Sequence, residues 1–134
     1  MSSPAIDVKN MLESGASLGL RLGENLFVGY EPAFPDVCVT VLDVSGWPSR
    51  MSLDRDESYR YDGVQVRVRD RSYQAGWDMI SKIADSIHGR NHEVWGDSYY
   101  HLIRIVASPQ FLGWDNNGRC QFAVTFELQR SKAE

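Results

Sequence analysis

His88, His92 and His101 are the side chains best suited to hold a metal. His88 and His92 stand four apart, the offset that puts two imidazoles on one turn of helix. Gly89 lies between them, where the helical pattern stops, and no Glu or Cys nearby completes a ligand set. The spacing therefore implies no metal site. Cys38 and Cys120 each sit in a run with strand character, which implies two buried, reduced core residues and not a disulfide. The chain has no G-x-S-x-G elbow and no phosphate-cradling loop. Its Asp and Glu residues are scattered, mostly through loops. No catalytic constellation emerges and no cofactor is implied, so the reading is that the chain is not an enzyme.

Arginine chemistry is what remains. In "DGVQVRVRDRSY" (62–73) Val64, Val66 and Val68 fall on one side of a strand, with Gln65, Arg67 and Arg69 on the other. The valine side needs a core. The arginine side admits a solvated face, a subunit interface or a nucleic-acid contact. Exposed ion pairs are worth only about 0–1 kcal/mol each, so a solvated face contributes little. A subunit interface suits Arg because its planar fork binds a carboxylate bidentately. A nucleic-acid-binding module would need Arg67, Arg69, Arg71 and Arg104 on one exposed face beside an aromatic.

The elements that position these residues follow from pattern. A chain of 134 residues is read as one domain, 1–134, able to hold a core without staples. It is 43% hydrophobic and 24% charged with a net charge of −4, which argues against a surface that grips phosphate everywhere. Ser3-Pro4 predicts a helix start with Gly15 closing it. "LFVGY" (26–30) and "VCVTVLDV" (37–44) read as strands separated by the turn "EPAFPD" (31–36). The valine strand follows at about 62–70. Ser72 caps a longer helix whose stripe is Gly76, Met79, Ile80, Ile83, Ala84 and Ile87, with His88-Gly89 ending it. "NHEVWGDS" (91–98) reads as a loop. "YYHLIRIVAS" (99–108) is apolar on both phases, which predicts a central strand. Asn117-Gly118 predicts a hairpin into "CQFAVTFELQ" (120–129), with Phe122, Val124, Phe126 and Leu128 on one face. The tail 131–134 is polar and expected to fray. The class is α+β: a mainly antiparallel sheet of about five strands, with one long and one short helix packed on one face.

The segment 45–61 has no period and reads as a long loop, which in a compact domain signals function or disorder. It opens with Trp47, Arg50 and Met51 and closes with Tyr59 and Tyr61, residue types suited to interface anchoring. It is expected to order on contact with a partner. Trp47, Trp95 and Trp114 fall in predicted loops, where Trp either folds back over a sheet edge or anchors an interface. The N-terminus shows no basic segment followed by an apolar run, and no apolar stretch approaches the roughly 18 residues of a membrane span, so the expectation is a cytosolic product with no membrane contact.

An ordered series of motifs points to a family. "LFVG" (26–29), Pro35-Asp36, "SGWP" (45–48), "VQVRVR" (64–69) with Tyr73, "IHG" (87–89), "SPQFLGWDNNGR" (108–119) and "FAVTFEL" together resemble the tail terminator proteins of long-tailed bacteriophages, often labelled minor capsid proteins. The likeness runs from about residue 26 to 129, and the charged stretch 49–61 is a departure from it. The resemblance implies an α+β fold and a structural role in the virion, at the tail and neck, with assembly in the host cytoplasm. It implies a homo-oligomeric, hexameric ring on the head-proximal end of the tail tube that stops tube growth and serves head–tail joining. Its partners would be the tail tube protein and a head–tail connector protein, with DNA passing through the lumen without specific binding. Another neck component, or a small nucleic-acid-binding module, is the alternative. Under the resemblance, the interface candidates are Trp47, Arg50, Met51, Tyr59, Tyr61, Arg67, Arg69 and Trp114.

Overall fold

The computed structural model describes residues 2–47 and 59–133. Helix α1 (Pro4–Ser14) is followed by strands β1 (Leu26–Val28), β2 (Cys38–Trp47) and β3 (Arg60–Asp70). Helix α2 (Tyr73–Ile87) then leads to β4 (Glu93–Trp95), β5 (Ser98–Trp114) and β6 (Cys120–Lys132). The strands form one six-stranded sheet among the described residues, in the order β1-β2-β3-β6-β5-β4. Among the described strands only β1 and β2 pair in parallel.

Local chemistry explains the helices. The Ser3 side chain accepts from the Ala5 N–H at 3.2 Å and Pro4 takes the first helical position. Asp43 of β2 also accepts from the Ala5 N–H, at 3.0 Å, which fixes the start of α1 against the sheet. Ser72 caps α2 through the Ala75 N–H at 3.2 Å. Gly76, Ile80, Ile83, Ala84 and Ile87 are its buried stripe, while Met79 packs at the margin of the core. Both helices lie on the sheet face that carries Val39, Val41, Val64, Val66, Val68, Phe122, Val124, Phe126 and Leu128.

The structure adds to or departs from the pattern in five details. The sheet has a sixth strand, because Glu93–Trp95 folds back on Ser98–Tyr100 through a turn at Gly96 (φ 60°). The strands reach further into 45–61 than the aperiodic sequence suggests: Trp47 pairs with Tyr61 across a bulge. The segment's remainder, including Arg50 and Met51, lies outside the described residues, as does the Trp47 side chain. The polar tail is strand as far as Lys132, because Ser98 and Tyr99 offer it a partner, and the Ala133 N–H donates to Asp97 O at 2.9 Å. β5 continues to Trp114 through several register shifts, well past the expected end at Ser108. Finally, β5 is not central. β4 covers only its first three residues, and the turn after α2 covers the next few through Gly89 N–H to Ile103 O (2.8 Å), Ile103 N–H to Arg90 O (2.9 Å) and Ile105 N–H to His88 Nδ1 (3.0 Å). From Val106 onward its outer edge has no strand partner among the described residues. Its apolar residues beyond that point, Val106, Phe111, Leu112 and Trp114, are exposed, as is Leu102.

Candidate assembly surfaces

The two arginines of the opening motif have different surroundings. Arg69 is 4% exposed. Its guanidinium donates to Glu31 Oε1 at 3.1 Å, to Pro35 O at 2.6 Å and to Asp36 O at 3.4 Å. Arg119, 6% exposed, donates to Ala33 O at 2.6 Å and pairs with Asp115 at 2.8 Å and Asp36 at 3.4 Å. Arg71 adds a pair with Asp36 at 2.7 Å, and Gln121 donates to Glu31 at 2.8 Å. These bonds stretch the segment 29–37 across the sheet face opposite the helices, like a strap. Cys38, Thr40 and Ala123 are buried on this same face, a second buried layer where pattern alone leaves polar positions. Cys38 and Cys120 are both free, and burial pushes both thiols up.

The strap holds up an apolar knob. The carbonyls on both sides of Phe34 are taken by buried guanidinium groups, yet the Phe34 side chain is 77% exposed. Tyr30 stands beside it, exposed and packed on Phe27 with ring centroids 5.9 Å apart. Exposed aromatic side chains usually gain from shifting between rotamers and partners. Here the backbone beneath the ring is fixed by charge-assisted hydrogen bonds, the stronger kind.

A second aromatic surface lies on the helix face at the open edge. Phe122 is buried, and Tyr73, Trp77 and Phe111 surround it at centroid distances of 5.1, 6.1 and 5.6 Å. Trp114 meets Phe111 at 6.4 Å. Tyr73, Trp77, Phe111 and Trp114 are each about half exposed. Gly76 makes this arrangement possible, since a Cβ there would stand 2.8 Å from the Phe122 ring.

A family model described as bacteriophage tail terminator protein matches residues 11–132. The chain belongs to that family. It is therefore a structural protein of a phage virion. Among solved structures it is similar in fold to a chain of the virion of a native gene transfer agent particle. The TM-score is 0.71 at 11% identity, covering 95% of this chain and 93% of the other. No curated protein sequence matches the chain.

The terminator fold distributes the remaining candidate residues unevenly. Arg67 is half-buried on the strap face but beyond the strap, and its Nε donates to Gln65 Oε1 at 2.8 Å. It pairs with no carboxylate among the described residues. Tyr59 packs edge-on against His101 with centroids 4.8 Å apart, and Tyr61 lies in β3. Trp114 lies at the end of β5, in strand and not in loop. Trp95, likewise in strand, donates to Glu93 at 2.7 Å. The four arginines that a nucleic-acid module would use do not form a free stripe: Arg69 is buried, Arg71 is tied to Asp36, and Arg104 is bound to Glu127 through two nitrogens at 3.1 and 3.3 Å. The histidines do not converge either. His88 accepts from Ile105, His92 meets Tyr99 at 2.7 Å and His101 meets Ser131 at 2.9 Å.

Sequence reading missed Arg130, the largest fully buried side chain at 2% exposure. It donates to Asp62 at 2.6 Å, Ser2 O at 2.8 Å and Ser98 Oγ at 3.1 Å, and stands 3.7 Å from Asp7. Asp7 also accepts from the Tyr100 hydroxyl, whose pKa is pushed up by burial and by that carboxylate. This network ties α1 to β3, β5 and β6. The signal was available, because position 130 continues the period-two core face of 122, 124, 126 and 128.

Proposed function

We propose that this protein is the tail terminator in the full sense: a ring, hexameric by family resemblance, that caps the head-proximal end of the tail tube and stops its polymerisation. Its outer end then offers the surface on which the head–tail connector docks, placing it at the tail–neck junction of the virion after assembly in the host cytoplasm. The observation that carries this reading is the match to the terminator family over nearly the whole chain. Two unpartnered apolar surfaces, one on each face of the sheet, support it, because a closed ring needs two different surfaces on every subunit.

The charge distribution suits a lumen that passes DNA without holding it. The chain is net −4, and Lys9, Arg60, Arg69, Arg71, Arg90, Arg104, Arg119 and Arg130, eight of its 14 Lys and Arg, each pair with a carboxylate within the fold. Phosphate binding grows with the number of free cations, so few remain to grip a passing duplex. Arg67 pairs with no carboxylate among the described residues, and we assign it to a contact with a neighbouring subunit. Trp47, Tyr59 and Tyr61, with Arg50 and Met51 outside the described residues, are proposed to meet the tube or the next subunit.

Tail assembly with and without this protein tests the function. Tubes assembled without it should run past their normal length and fail to join heads, and adding the purified chain should restore both. Tubes of normal length in its absence would sink the proposal. Native mass spectrometry of the chain, free and on tubes, checks the ring.

A further inference from the structure

We infer that the seam between adjacent subunits places the Phe34 knob of one copy on the Tyr73–Trp77–Phe111–Trp114 patch of the next. This rests on the ring reading and specifies which surfaces close it. The knob and the patch lie on opposite faces of the sheet. Arg69, which points away from the helices, holds the strap, while Phe111 and Trp114 share a face with the buried core residues Phe122 and Cys120. A single copy therefore cannot bring its own knob to its own patch. A second copy can, and the contact is head-to-tail, the kind that closes a ring.

The area is adequate for such a contact. Taking about 200 Å² per aromatic, the four half-exposed rings of the patch leave on the order of 400 Å² in water, and Tyr30 with Phe34 leaves about 280 Å². A typical monomer's largest apolar patch is about 300–600 Å², and such patches are often functional. With interfaces about 57% apolar, the two surfaces together imply about 1,200 Å² of total burial, the lower bound for a specific contact. Val106 and Leu112 on the open edge of β5 add to that margin. The edge carries no charged residue between Arg104 and Asp115, while Pro109 and the register shifts of β5 keep a further strand from adding along it, so a partner would meet it through side chains.

The knob is also preorganised. Much of the ordering that an exposed loop anchor would undergo on binding has already occurred, through the bonds from Arg69 and Arg119 to the strap carbonyls. A fixed aromatic anchor entering an aromatic-lined surface is the usual composition of an interface hot spot.

The test uses Phe34→Asp and Trp114→Asp in the full chain. Both side chains are more than half exposed, so each variant should keep the wild-type far-ultraviolet circular dichroism spectrum and unfold cooperatively in urea. Each variant alone should associate at least about 30-fold more weakly than wild type and run as a monomer by native mass spectrometry. Mixed in equal amounts, the two should form a heterodimer that grows no further, because one intact knob meets one intact patch and both outer surfaces are spoiled. Phe34→Cys mixed with Trp114→Cys under mild oxidation should give heterodimer in excess of either homodimer; the native thiols are buried and do not compete. A wild-type ring with either Asp variant still closing, a variant mixture that stays monomeric, or cysteine homodimers that match the heterodimer would overturn the seam and leave the ring standing. A wild-type chain that is monomeric both free and on tubes would overturn both.

Discussion

Replacing Arg69 by Met, beside the same change at Arg67, separates two arginines that the sequence presents as equivalents. Arg69→Met keeps most of the buried volume and removes the guanidinium. The strap then loses its bonds at Pro35 O (2.6 Å) and Asp36 O (3.4 Å), and Glu31 loses its cation at 3.1 Å. A hydrogen bond to a charged group is worth about 1.5–3 kcal/mol, and breaking a fully buried pair costs about 3–5 kcal/mol. Two features lower the sum. Glu31 is partly exposed and keeps its bond from Gln121, and the freed carbonyls can rehydrate if the strap lifts. The expected loss is about 2–4 kcal/mol. Arg67 is only half-buried and makes one bond among the described residues, to Gln65, which water can replace, so Arg67→Met should cost less than about 1 kcal/mol. Urea unfolding at unchanged slope should place the two midpoints about 1–2 M apart. Amide exchange in 29–37 should quicken in the Arg69 variant only. Equal midpoints, or an Arg69 variant with full strap protection, would refute the assignment of Arg69 as an internal pin.

Arg130→Met leaves Asp7 and Asp62 without their buried cation and should lose about 3–5 kcal/mol in urea unfolding; adding Asp7→Asn should recover part of this, since the Tyr100 hydroxyl keeps an acceptor. Gly46→Ala drives a Cβ into the Tyr61 carbonyl oxygen, a backbone atom that cannot swing aside, so the pairing of Trp47 with Tyr61 should open and amide exchange at 60–63 should rise. Gly76→Ala should also destabilise, by about 1–3 kcal/mol from overpacking against Phe122, despite the higher helix propensity of Ala, and a thermal melt reads the sign. Low pH should release the strap. Asp36 is held below its ordinary 3.8 by the hydrogen bond from Arg71, and Asp115 by the Arg119 backbone N–H. A depressed carboxylate contributes stability that is complete above the unfolded value and lost as pH falls through the lower folded value. Strap amide exchange, corrected for its intrinsic pH dependence, should therefore be flat above about pH 5 and accelerate only below 3.8.

What could be read in the sequence was whatever is encoded locally. The caps Ser3 and Ser72, the stripe of α2, the valine face of β3 and the Asn117-Gly118 hairpin all appear where pattern puts them. Periodicity says which residues share a face, not what lies opposite. Arg67 and Arg69 are identical by that measure, and only a strap more than thirty positions upstream distinguishes them. The both-phase apolar run of β5 had two physical meanings, burial on both faces or an exposed edge, and the short reach of β4 decides for the edge. Trp114 was visible as a candidate by residue type. Phe34 was not, because "EPAFPD" reads as an ordinary turn until Arg69 and Arg119 are seen to bond its backbone. The family was legible through the order of its motifs, none of which is diagnostic singly.

On both sides of Phe34 the strap is held by its main chain, and further out by the Glu31 and Asp36 side chains. Ala33, Pro35 and Asp36 are gripped through carbonyl oxygens, groups that every amino acid carries. The shape of the strap is thus largely independent of which side chain it displays at position 34. A terminator could change the partner it fits by exchanging that one residue, with no new loop to evolve and little disturbance to folding. For the same reason the position is a natural graft site: a different anchor placed there would inherit a scaffold that is already fixed.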